Sequence, residues 1–185
     1  MMAILRWMRA TRFGLPMAAL LCLLPAPHAA AQRVGQTARQ TIAVLDFDLL
    51  DDQKATVPDT TLGPRLAAIR SQLAEALARE NLYTVVDNAP ARTLIDTSRA
   101  TQDLHDCNGC ELAIGKALGA DRVMVGWVQK VSNLILNINL QIEDVATGRV
   151  ILNKSVDLRG NTDESWRRGI AYLVRDMVEK HQGSR

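Results

Sequence analysis

Histidine is scarce. The 185 residues hold three, His28, His105 and His181, which narrows the options for a general base or a metal ligand. There is no Gly-rich phosphate loop, no G-x-S-x-G and no H-E-x-x-H, so the common nucleotide, serine-hydrolase and zinc-protease sites are excluded. An excess of one charge is also missing. The formal net charge is +2, which gives no electrostatic footprint for nucleic acid or an anionic membrane. Cysteine is limited to Cys22, Cys107 and Cys110. The hydrophobic run from Phe13 to Leu24 is 12 residues long. A membrane-spanning helix needs ~20, and no later run is long enough.

Arg6, Arg9 and Arg12 precede that run with no acidic residue among them. Pro25 and Pro27 end any helix there, and Ala29-Ala30-Ala31 follows with small side chains. This is the three-part pattern of a secretory signal, with cleavage expected after Ala31. Arg9 and Arg12 are not adjacent, so a twin-arginine route is not indicated. Leu21 before Cys22 departs from the lipoprotein pattern, so Cys22 leaves with the signal. Removing 31 of the 185 residues leaves 154, and removing three arginines moves the net charge from +2 to −1. The expected organisation is a signal over 1–31, a disordered linker over 32–40, one α/β domain over 41–180 and a tail over 181–185. The exported chain is expected to be periplasmic or secreted, with no transmembrane span after cleavage. In an oxidising compartment Cys107 and Cys110 are expected to pair.

Thr41–Asp48 is apolar on both faces and reads as a buried strand. Leu62, Leu66, Ile69, Leu73 and Leu77 line one face of a helix, with Thr60 or Thr61 as cap and Pro64 in the first turn. Leu82–Asp87 reads as a second strand. A short helix follows Asn88 and Pro90, and another runs from Glu111 to Leu118, closed by Gly119. Asp121–Val131 reads as a third strand. Asn133–Val145 alternates, with Leu134, Leu136, Ile138, Leu140 and Ile142 facing one way. Asn133, Asn137, Asn139, Gln141 and Glu143 face the other. A turn ending in Gly148 leads into an antiparallel return strand, Arg149–Leu158. Asn161 or Thr162 caps the final helix, with Glu164 placed for a capping box on Asn161. Its apolar face is Trp166, Ile170, Leu173, Val174 and Met177. The pattern predicts an α/β fold with one mixed sheet of about five strands. Three parallel strands lead into an antiparallel meander, and helices pack on the sheet.

Several short motifs resemble a group of bacterial envelope proteins. They are Ile42-Ala43-Val44-Leu45-Asp46-Phe47, the junction Leu118-Gly119-Ala120-Asp121-Arg122-Val123-Met124-Val125-Gly126, and the hairpin Asp144-Val145-Ala146-Thr147-Gly148-Arg149-Val150. The group includes the curli-secretion channel protein, the penicillin-binding-protein activator lipoproteins and the amino-terminal domain of the Tol–Pal propeller protein. The chain departs from the first two in lacking a lipid-anchor cysteine. Trp127–Leu136 and Arg159–Trp166 resemble, more closely, an uncharacterised family of small secreted bacterial proteins. The resemblance implies a non-catalytic periplasmic binding or envelope-assembly module, with another periplasmic or envelope protein as partner.

Candidate sites are few. Cys107-Asn108-Gly109-Cys110 suits a local disulfide, worth about 2 kcal/mol for so small a ring. The same pair at a helix start could instead be redox-active. His105, Cys107 and Cys110 could hold a metal if a fourth ligand came from elsewhere. Asp46, Asp48 and Asp87 end the first two strands, and Gln129 and Lys130 end the third. Parallel strands would gather these five at the usual ligand crevice, although strand-end carboxylates also serve simply to solvate loops. Asn137 and Asn139 on the wet strand face could bind a partner or merely face solvent. No nucleophile–base set joins these residues, and no cofactor is expected.

Overall fold

The computed structural model describes residues 39–52 and 59–183. The expected signal peptide and most of the linker lie outside the described residues. The elements in chain order are β1 (Thr41–Val44), β2 (Asp48–Asp51), α1 (Leu62–Arg79), β3 (Thr84–Val85), α2 (Arg92–Arg99), α3 (Cys110–Ala117), β4 (Arg122–Lys130), β5 (Ile135–Asp144), β6 (Val150–Arg159) and α4 (Asp163–Gly183). Short 3₁₀ turns occupy Ala89–Ala91 and Leu104–Asp106. The strands form one mixed sheet in the order β3-β1-β4-β5-β6, with β2 also pairing to β4. β1 and β2 run parallel to β4, and β1 runs parallel to β3. β4, β5 and β6 form an antiparallel meander. The α/β architecture is the one that the sequence pattern predicts.

The opening apolar run is two strands rather than one. Val44 pairs with Met124, and pairing resumes at Asp48 with Trp127. Leu45, Asp46 and Phe47 therefore stand opposite only Val125 and Gly126, which makes a bulge of one extra residue. Its packing cause is visible in β4. The ring of Phe47 lies so close over Gly126 that a Cβ there would sit 2.5 Å from it. A bulge also reverses the in–out alternation. Ile42 and Val44 share one core with Phe47, while Ala43 and Leu45 belong to the other. The second expected strand is also shorter, since only Thr84 and Val85 lie in the ladder.

Helices cover the two faces of the sheet unequally. α1 and α4 lie on one face, where Ile69, Leu73, Trp166 and Ile170 close over Leu136, Ile138, Leu140 and Ile142 of β5. All four of those β5 side chains are fully buried, as their alternation predicts. Leu134, read into the same row, instead lies in the β4–β5 turn and is exposed. On the other face, Ile95 of α2 and Ile114 of α3 pack on Ala43, Leu45, Val123 and Val125. Gly119 ends α3 at φ +62, the left-handed backbone that a helix terminus of this kind needs. α4 is capped by Thr162 and not Asn161. Thr162 Oγ1 accepts from the Ser165 amide at 3.2 Å, and Ser165 Oγ accepts from the Thr162 amide at 3.1 Å. Asn161 Oδ1 is instead taken by the Trp166 indole N–H and by Arg65. Among the described residues no helix is long and apolar enough to cross a membrane.

Candidate functional site

The structure gives each strand-end residue its own partners. The bulge turns Asp46 outward, where it meets three guanidinium groups. Arg70 Nε from α1 lies at 3.4 Å, with Arg92 Nη1 at 3.5 Å and Arg99 Nη1 at 3.0 Å, both from α2. Asp48, one register beyond the bulge, is buried and turned to the α2–α3 side of the sheet. Its Oδ2 accepts from both the backbone N–H and Nδ1 of His105, each at 2.9 Å. The His105 ring stacks on Trp127 with centroids 4.9 Å apart. Lys130 is also buried and donates to Asp51 at 2.9 Å. Gln129 reaches Asp52 at 3.3 Å. Asp87 is exposed and accepts the Ala89 N–H at 3.0 Å, which starts the 3₁₀ turn after β3. The arginines escaped the sequence reading. The signal for two of them is present, since Arg92 and Arg99 are seven residues apart and fall on one side of a helix.

Cys107 and Cys110 form a disulfide, with Cα atoms 5.5 Å apart. It joins the 3₁₀ turn before it to the first residue of α3. Cys107 is buried, and Cys110 is the more accessible of the two. The buried carboxylate of Glu111 lies 2.9 Å from Cys107 Sγ and accepts the Gly109 N–H at 3.1 Å. A carboxylate so placed repels a thiolate on the same sulfur, the reverse of what a reactive cysteine needs. The ligand atoms of Cys107, Cys110 and Glu111 lie within 4.8 Å of one another. His105 is not in that group, and its Nδ1 is engaged by Asp48.

α3 covers the outer face of β5 only at its Glu143 end. Cross-strand rows run Trp127–Asn139–Ser155, Gln129–Asn137–Asp157 and Val125–Gln141–Asn153. Asn137, Asn139 and Gln141 are half-buried, while Asn153, Ser155 and Asp157 are exposed. Asn137 donates to Asp157 at 2.6 Å and accepts from Ser155 at 2.7 Å. Asn139 makes no side-chain hydrogen bond among the described residues. Glu143, assigned to this wet row by alternation, is buried near α3. Burial holds its carboxyl above the usual range, opposed by a hydrogen bond from Gln141 and reinforced by the charge of Glu111.

A cavity of about 540 Å³ opens between the amino-terminal ends of α1 and α4. Its floor is apolar, formed by Pro64, Ala68, Ile69 and Trp166. Its charged rim is internally matched, with Arg65 on Asp163 at 2.6 Å and Arg167 on Glu164. At the far end of the sheet, Asp121 accepts from the amide and hydroxyl of Thr41, at 2.8 and 2.9 Å. Those two bonds hold its carboxyl below the usual range.

Similar solved structures include the LpoB C-terminal domain from Escherichia coli, at 19% identity over 67% of this chain and 85% of that one, with a TM-score of 0.47. Lipoprotein GNA1162 from Neisseria meningitidis is similar at 17% identity, covering 78% of this chain and 98% of that one, with a TM-score of 0.45. The PelC dodecamer from Paraburkholderia phytofirmans is similar at 16% identity, covering 74% and 85%, with a TM-score of 0.43. No curated protein matches the sequence. The DUF3280 family model, described as "Protein of unknown function (DUF2380)", matches residues 40–178, and the chain belongs to that family.

Proposed function

We propose that the protein is a secreted, periplasmic, non-catalytic binding or envelope-assembly module, and that it holds a protein partner on the amide face of β5 and β6. The observation that carries this reading is that face itself. Half-buried Asn137, Asn139 and Gln141 and exposed Asn153, Ser155 and Asp157 present amide, hydroxyl and carboxylate groups on strands whose opposite side is locked in the core. Polar groups fixed on a rigid sheet offer directional hydrogen bonds that cost little ordering when a partner docks. Trp127 at one end of a row adds a half-buried aromatic edge, the residue type enriched at interface anchors. The Cys107–Cys110 disulfide fits an oxidising compartment, and the envelope-type motifs of the sequence lie in the framework around the face. Asp48 and Lys130 enter as supports of that framework.

The test joins binding to folding. Asn137→Ala/Asn139→Ala and Asp157→Ala are made in the purified protein. Capture of periplasmic proteins by each variant is then measured beside its melting midpoint. A photo-crosslinker at Asn139 is expected to trap one partner, and the same crosslinker at Glu179 on α4 is expected to trap none. Full-strength capture by all variants places the binding surface elsewhere. Loss of a measurable turnover in the folded variants overturns the non-catalytic reading.

A further inference from the structure

We propose that Arg70, Arg92 and Arg99 form a binding site for an oxyanion, a carboxylate or phosphate group carried by a ligand, and that Asp46 is the internal carboxylate that this group must compete with. The inference is independent of the amide face. It starts from topology. The chain passes from β1 to β3 through α1 on one face of the sheet, and from β3 to β4 through α2 and α3 on the other. β3 and β4 flank β1 on opposite sides. The strand order therefore reverses at β1, and in open α/β sheets the crevice beyond the carboxyl end of such a strand is where ligands bind. Asp46 stands two residues past the end of β1, with Arg70 arriving from one helical layer and Arg92 and Arg99 from the other.

Charge and geometry specify the ligand. Three guanidinium groups face one carboxylate, at 3.4, 3.5 and 3.0 Å. Arg92 also touches Asp96 through Nε at 3.2 Å, and Arg70 Nε is tied to the Val44 carbonyl at 3.2 Å. Asn88, buried beneath, donates to that same carbonyl at 2.8 Å. Each guanidinium has five N–H donors, and these contacts use only Nε of Arg70, Nε and Nη1 of Arg92, and Nη1 of Arg99. The remaining donors belong to side chains 27%, 57% and 37% exposed, in the order Arg70, Arg92, Arg99. A planar fork of this kind matches the paired oxygens of a carboxylate or phosphate. Asp46 does two opposed things. It gathers the three arginines before a ligand arrives, and it occupies the charge that the ligand would use.

Asp46→Asn keeps the side chain's shape and hydrogen-bonding oxygen but removes the competing charge, and that gives the test a sign. The purified disulfide-bonded protein is titrated at low salt with inorganic phosphate and, separately, with citrate, while two-dimensional NMR follows the backbone amides. Saturable shifts are expected around residues 46, 92 and 99. Arg92→Ala/Arg99→Ala should weaken binding about tenfold or more, the scale of losing charge-assisted hydrogen bonds. Asp46→Asn should tighten it several-fold. Arg92→Ala alone, altering the most exposed of the three, serves if the double variant melts early. Saturation by phosphate alone or by citrate alone supports the site and names its ligand chemistry. Equal binding by the wild type and the arginine variants means an adventitious ion only and overturns the proposal. So does the absence of saturation, or weaker binding by Asp46→Asn.

Discussion

Glu143 sits where alternation puts a solvent-facing residue, yet it is buried beside Glu111. Because its folded carboxyl titrates above the ordinary value, the folded state holds the extra proton. The resulting penalty is fully present above the folded value and absent below the ordinary 4.5. Glu143→Gln should therefore raise the melting midpoint by a few degrees at pH 7 and leave it unchanged at pH 4, as calorimetry at both values would record. Asp121 works in the opposite direction. Its folded carboxyl is held down by Thr41, so its contribution is present above the ordinary 3.8 and lost as pH falls through the folded value. Asp121→Asn should lower stability at pH 6, by about 1 kcal/mol or less given its exposure to solvent, and its effect should shrink as pH falls below 3.8. A third residue-scale expectation concerns the disulfide. With Glu111 against Cys107 Sγ, reduced Cys107 should alkylate slowly, and Glu111→Gln should speed it. Reduction itself should cost about 2 kcal/mol in a denaturant titration.

At the scale of elements, the parts that the sequence makes legible are those with an unbroken period. The apolar faces of α1 and α4 and the buried row of β5 follow from spacing alone, because each element keeps one side in the core throughout. The β1–β2 break does not follow, since a bulge inserts one residue and exchanges the two faces without any mark in an all-apolar run. What it needs is a neighbour, Gly126, 79 residues away in sequence and under the Phe47 ring. The site suffers from the same gap. A strand read straight from Thr41 to Asp48 puts Asp46 and Asp48 on one edge together. The bulge sends Asp46 to three arginines and Asp48 inward to His105. The arginines themselves come from elements whose packing layers no local pattern reveals. Gly126→Ala tests the cause directly. The added methyl must push the buried ring of Phe47 aside, at a cost of about 1–3 kcal/mol. The displaced bulge should also disturb the backbone amides around Asp46, visible in the same NMR spectra.

For the whole molecule, the decisive fact is that one sheet is covered on one face along its length and on the other only in part. α1 and α4 cover β5 and reach β6, while α2 and α3 cover β1 and β4 and only the Glu143 end of β5. The proposed function therefore puts stability and recognition on opposite sides of the same strands, one residue apart. Leu136 and Asn137 are neighbours in β5, yet Leu136 is fully buried and Asn137 is half-open. Leu136→Ala opens a cavity under α4 and should cost ~2–5 kcal/mol. Asn137→Ala removes hydrogen bonds to Asp157 and Ser155 at a wet surface, and should cost no more than ~1 kcal/mol. The pair separates two ways of losing a partner. At a temperature where both variants remain folded, Leu136→Ala should keep its capture and Asn137→Ala/Asn139→Ala should lose it. A loss in the leucine variant alone would mean that the partner reads the helical face, because only that side of the sheet has been altered.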